Sequence, residues 1–171
     1  AGPALRGGGG MTVSCPYEAL DARRIAEKQA EIGGASDDVD YCESEFERCL
    51  SAIAKLSDGR MLDASTVNDI AALLDVALAT IDADTATAPD ALTCADLADA
   101  RMPIVLALGS IRTMRAVETR HVYVVRDALE DFALPNLAKD LGAARSAYIA
   151  TAELAAEFAA DAWGDDAGVA A

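Results

Sequence analysis

Residues 41–56 read YCESEFERCLSAIAKL, and their apolar positions decide the fold class. Cys42, Phe46, Cys49, Ile53 and Leu56 step by 4, 3, 4 and 3 residues. That spacing places them on one stripe of an α-helix and is the signature of a heptad seam. Strict alternation, which a half-buried strand requires, is absent from this stretch. A second stripe follows: Val67, Ile70, Leu74, Leu78 and Ile81 step 3-4-4-3 along one face. A third lies near the C-terminus, with Leu137, Leu141, Ala144, Tyr148, Ala155, Phe158 and Ala162 on one face.

Composition agrees. Hydrophobic residues make up 53% of the 171-residue chain, but aromatics only 5%, and alanine alone occurs 39 times. Alanine is the strongest helix former, and small faces allow helices to approach closely. The expected fold is therefore all-α: a single-domain bundle of about five to six antiparallel helices spanning residues 11–163. Residues 1–10 (AGPALRGGGG) read as a flexible Gly-rich lead-in and residues 164–171 as a disordered acidic tail.

Punctuation in the sequence sets the expected boundaries. The first helix is predicted to run from Ser14, with Pro16 in its first turn, to a stop at Gly33-Gly34. The second then runs from Ser36 to Asp58-Gly59, and the third from Ser65 to Ile81. Thr93 with Asp96 resembles a capping pair opening the fourth. Pro103 should kink or restart that helix before a close at Gly109-Ser110. A fifth is expected over residues 110–133, ended by Leu134-Pro135-Asn136.

The chain carries a net charge of −15. That balance argues against binding nucleic acid or an anionic membrane over the whole surface. No apolar run approaches the length of about 18 or more residues that a membrane span needs, and no secretory signal pattern opens the sequence. The four cysteines, Cys15, Cys42, Cys49 and Cys94, lack zinc-site spacing. Unpaired thiols in a reducing, cytoplasmic compartment are expected, with a Cys15–Cys94 bridge the remaining alternative.

The charge is uneven. Residues 61–100 contain eight Asp and no Lys or Arg, whereas residues 101–126 contain five Arg and one Glu. On a continuous fifth helix Arg112, Arg115 and Arg126 share a stripe, with Arg120 off it. This window is the expected partner-binding surface, formed by Arg112, Arg115, Arg120 and Arg126. It is also the one place where nucleic acid would find a local foothold.

The chain's single histidine falls inside the window. Glu118-x-x-His121 has the spacing of a di-iron ligand pair on one helical face, but the other helices cannot complete the coordination shell, so no metal and no cofactor are expected. A conventional nucleophilic triad lacks partners, and no phosphate-binding glycine loop is present. Arg115-x5-His121-x-Tyr123 resembles the Arg-x(4–6)-His motif of HEPN-type ribonucleases, which are small all-α dimers. The resemblance covers nine residues, and the position after the arginine, commonly polar in that family, is Ala116 here. It implies a metal-independent ribonuclease in which Arg115 and His121, with Tyr123, act on a phosphodiester across a dimer cleft. On one continuous helix Arg115 and His121 lie about 120° apart, so they converge only if a helix begins after the arginine.

The function expected first is a different one: a non-enzymatic, acidic helical interaction protein acting by protein–protein contact or self-association. An assembly adaptor, small chaperone, inhibitor or viral or phage structural component would all fit that description.

Overall fold

The computed structural model describes the backbone of residues 16–170 and the side chains of residues 19–161. The expected lead-in over residues 1–10, the start at Ser14 and Cys15 lie outside the described residues. Among those described the chain is all-α, with no strand. Helix α1 covers Pro16–Ser57, α2 Ala64–Ala86 and α3 Ala91–Met114. A short 3-10 turn, Thr119–His121, leads into α4 (Val122–Ala128). A π-helical turn (Leu129–Ala133) then passes into α5 (Leu134–Ala170) without interruption. Four helical runs therefore replace the five to six expected.

Three expected breaks are absent, and each has a physical reason. Gly33 and Gly34 lie inside α1, which is one helix of 42 residues. The seam read over residues 42–56 extends backwards through them: Ile25, Ile32, Val39, Phe46 and Ile53 recur every seventh residue. Both glycines are exposed, so the apolar register never depends on them. Pro103 lies inside α3, which runs on through Gly109-Ser110 to Met114. The proline is exposed, and so is Asp99, the residue whose carbonyl it leaves without an intrahelical donor. At Leu134-Pro135-Asn136 the π turn supplies the accommodation, because the Leu134 N–H donates to the Leu129 carbonyl, five residues back. The widened turn makes room for the Pro135 ring where a tight α-turn would clash with the carbonyl four residues earlier. Beyond it α5 remains helical to Ala170, across the residues expected to form a disordered tail.

One expected helix is instead divided. The predicted 110–133 helix stops at Met114, and Arg115 caps it in the left-handed conformation, φ 55°.

The described backbone groups into two compact units, one over residues 40–143 and the other formed by the terminal segments on either side of it. The 40–143 unit holds the core. Helix α2 lies at its centre, burying Val67, Ile70, Leu74, Ala77 and Ile81 on one stripe and Leu73 beside it. Around it pack Cys49 and Leu56 of α1, Ile104, Leu108 and Ile111 of α3, Val125 of α4 and Leu129 of the π turn. Each such side chain contributes about 1.5–3 kcal/mol when fully buried. Burial pushes the Cys49 thiol up to about 11, so it behaves as a small neutral hydrophobe.

By length and composition α2 could cross a membrane, with a mean hydropathy of 1.4 over its most apolar window. Four aspartates, Asp69, Asp75, Asp82 and Asp84, interrupt the apolar run in the sequence. Its apolar stripe forms the core just described, an arrangement compatible with a soluble protein.

Asp63 and Asp90 cap α2 and α3, each accepting a hydrogen bond at 2.7 Å from the backbone N–H three residues on, Thr66 and Thr93 respectively. These bonds hold both carboxyls below the usual range. The cap of α3 is thus Asp90 rather than Thr93, which acts as its donor. Ion pairs fix the register of α2 on α3: Arg101 reaches Asp82 at 2.9 Å and Arg112 reaches Asp75 at 2.6 Å. As α3 advances its partners recede along α2, so the two helices are antiparallel.

In the other unit, α1 carries a large apolar residue at every seventh position from Ile25 (Ile25, Ile32, Val39), and α5 from Ala144 carries a 3-4 repeat. On α5 the series Ala144, Tyr148, Thr151, Ala155 and Phe158 continues Leu134, Leu137 and Leu141. Yet none of the described side chains of this unit is buried. Ile32, Val39, Ala155 and Phe158 reach only partial cover, while Ile149 and Leu154 stay 55% and 56% exposed.

Candidate functional site

The helix break at Arg115 reorganises the basic window. Arg112 remains on α3, Arg115 is its cap, Arg120 falls on the 3-10 turn and Arg126 on α4. The single arginine stripe expected on one helix is therefore split between elements. Arg112 is engaged by Asp75, and Arg120 is held at 3.0 Å by Glu118. Such exposed pairs are worth about 0–1 kcal/mol each, so their part is register more than stability. Arg115 forms no ion pair among the described residues. Its left-handed backbone costs about 1 kcal/mol relative to the glycine that helix ends usually place there.

Glu118 explains how the break is held. Its backbone is extended, with ψ 145°. Ser110 Oγ donates to Glu118 Oε1 at 2.5 Å, and Arg120 Nε donates to Oε2 at 3.0 Å. The Ser110 hydrogen bond first, then that from Arg120, draws the Glu118 carboxyl below its ordinary range. The residue thus ties the end of α3 to the 3-10 turn. Glu118 and His121 do not share a helical face, and among the described residues no group of three potential ligands could hold a metal ion.

His121 is half-buried on the 3-10 turn, where its backbone N–H donates to the Glu118 carbonyl at 2.9 Å. Its ring has no hydrogen-bond partner among the described residues. The break sets Arg115 and His121 on different elements, meeting the one condition under which the pair could converge.

Sequence reasoning missed a cavity of about 410 Å3 next to this segment. It lies between the α1–α2 loop and residues 116–126, with Leu56, Leu62, Val67, Val117 and Val122 as its apolar lining. Arg60, Met61, Tyr123 and Arg126 also line it, whereas Arg115 and His121 do not. Gly59 makes the loop possible: at φ 65° it turns the chain directly after α1, a conformation that disfavours any side chain. The loop then presents Arg60 and leaves Met61 99% exposed at the rim. Arg126 stacks its guanidinium 5.1 Å from the centroid of the Tyr123 ring. Among the described residues its buried Nε has no hydrogen-bond partner, and its one ion pair is a 3.6 Å contact from Nη2 to the neighbouring Asp127. Of these residues Tyr123 and Arg126 are the ones that the sequence marks as candidate site residues, and Leu56 and Val67 those it marks as apolar-stripe positions. Arg60 and Met61 offer no motif, and their placement follows from the left-handed turn at Gly59.

No protein-family model, curated protein sequence or solved structure matches the chain. The class these observations define is an acidic all-α protein, and its functional reading rests on its own geometry.

Proposed function

We infer that this is a non-enzymatic helical-bundle interaction protein that self-associates through its terminal helix pair. The observation that carries the reading is the mismatch in that unit: heptad seams on both helices, and no described side chain buried. A seam of this kind is stable when facing helices close over it, and two slim Ala-rich helices leave most of it wet. Leu20 and Ile25 on α1 and Ile149, Leu154 and Tyr148 on α5 are the apolar side chains left for a further helix to cover. Adaptor, small-chaperone, inhibitor and viral or phage structural roles all require such a surface. The expected cytoplasmic setting suits the unpaired thiols of Cys49 and Cys94.

Light scattering coupled to size exclusion tests the proposal. The chain should elute as a multiple of 17.7 kDa. Ile149→Glu combined with Leu154→Glu should return it to the monomer mass while leaving the melting of the 40–143 unit in place. A wild-type chain that is monomeric at every concentration would refute self-association.

The separation of Arg115 and His121 onto different elements keeps the ribonuclease alternative as a second reading. On that reading His121→Ala abolishes RNA cleavage with helicity intact. Wild-type protein that leaves single-stranded RNA uncut would eliminate it.

A further inference from the structure

The cavity beside α4 has a chemistry opposite to that of the protein around it. The chain holds 29 acidic residues, yet the cavity lining contains two arginines and no carboxylate. Four acidic residues adjoin it in sequence, Asp58, Asp63, Glu118 and Asp127; Asp63 is committed to the Thr66 N–H, Glu118 to Ser110 and Arg120, and Asp127 touches Arg126 only at 3.6 Å. The volume, about 410 Å3, falls within the ordinary range for small-ligand sites. One part is hydrocarbon, supplied by Leu56, Val67, Val117 and Val122. The other is cationic and hydrogen-bonding, supplied by Arg60 and Arg126 with the exposed Tyr123 beside them.

Arg126 is the most telling of these groups. Packing against the Tyr123 ring holds its guanidinium in place, and its Nε is desolvated without a partner. A buried donor left unpaired is costly, and a fixed guanidinium next to an apolar wall is the arrangement that recognises carboxylates. Arg60 has no ion pair among the described residues, so a second cation is available on the loop.

We propose that this cavity binds an amphipathic carboxylate, its head group met by Arg60 and Arg126 and its hydrocarbon body resting on Leu56, Val67, Val117 and Val122. The same chemistry is offered by a free medium-chain fatty acid and by the C-terminal carboxylate of a chain ending in a large apolar residue. Apolar contact supplies the body of the affinity, and the arginines select the charge. The site goes beyond the self-association reading, since it lies wholly within the 40–143 unit and does not depend on the terminal helices.

The test titrates the full chain with octanoate and, separately, with octanol, following the Met61 methyl and Tyr123 ring resonances by NMR. Octanoate should saturate, binding about tenfold or more tightly than octanol. Arg126→Met should remove that preference by weakening octanoate about tenfold while leaving octanol unchanged. Arg60→Met, on the exposed loop, supplies a second variant whose fold is not in question, and it should reduce the preference in the same direction. A peptide ending in leucine, as free acid and as C-terminal amide, distinguishes the sources. Tighter binding of the peptide acid than of octanoate assigns the site to a chain terminus, and the reverse order assigns it to a free fatty acid. Octanoate that binds no better than octanol, or a preference that survives both arginine substitutions in folded protein, would overturn the proposal. Neither result would bear on the solution mass.

Discussion

Leu74→Ala should lower the unfolding free energy by about 2–5 kcal/mol, the largest stability effect expected from a single truncation in this chain. Leu74 is fully buried on α2, the helix against which α3, α4 and the π turn all pack. Removing its branched end costs the transfer of the lost carbons and leaves a cavity that rigid neighbours close only in part. Domains of this size are held by about 5–15 kcal/mol, so the loss is a large share of the total. Leu106→Ala on α3 provides the internal comparison, because Leu106 is 61% exposed and its truncation should change stability by about 0.5 kcal/mol or less. Urea denaturation followed by circular dichroism measures both. Equal effects from the two substitutions would mean that α2 is not the central element.

The second large effect runs in the opposite direction. Replacing Gly33 and Gly34 together by alanine should stabilise the protein by about 1–2 kcal/mol. Neither glycine has the positive φ that excludes a side chain, and a Cβ built at either meets no atom within 4 Å. Alanine at both sites would therefore lower the entropy lost on folding at no steric cost. The experiment also decides between two structures. In a continuous α1 the double variant melts higher and gains helicity. If the glycines instead ended one helix and began another, as the sequence alone suggests, at least one would hold a left-handed conformation and alanine would destabilise. A fall in melting temperature would thus argue against the 42-residue helix.

This pair of glycines shows how far the sequence could be read. Heptad spacing over Cys42–Leu56 was enough to identify a helix and its buried face, and Cys49 and Leu56 do lie in the core. The same repeat extends back to Ile25, but Gly33-Gly34 interrupts the propensity without interrupting the register. Propensity is worth about 1 kcal/mol per glycine and yields to a seam of this length. Pro103 and Pro135 misled for a related reason. A proline forbids one hydrogen bond, and an exposed carbonyl or a π turn absorbs the loss.

The site was less legible. The basic window 101–126 and its contrast with the acidic residues 61–100 were plain in the sequence. They became partly internal, with Arg101 and Arg112 fixing α3 on α2. The break at Arg115 had no local signal, since helical periodicity continues on both sides of it. It is held by Ser110, Glu118 and Arg120, whose hydrogen bonds exist only once the chain has turned. The cavity depends on that turn and on the left-handed Gly59, so Arg60 and Arg126 line one space although 66 positions separate them.

The sequence by itself determined the all-α class, the buried stripe at the centre of the 40–143 unit and the uneven charge. These follow from periodicity and composition, which act through neighbours three or four residues apart. Tertiary structure alone decided where helices end, which arginines are satisfied and which line a cavity. Those outcomes turn on whether a polar group finds its partner in a distant part of the chain or in water, and spacing along one helix carries no record of that choice.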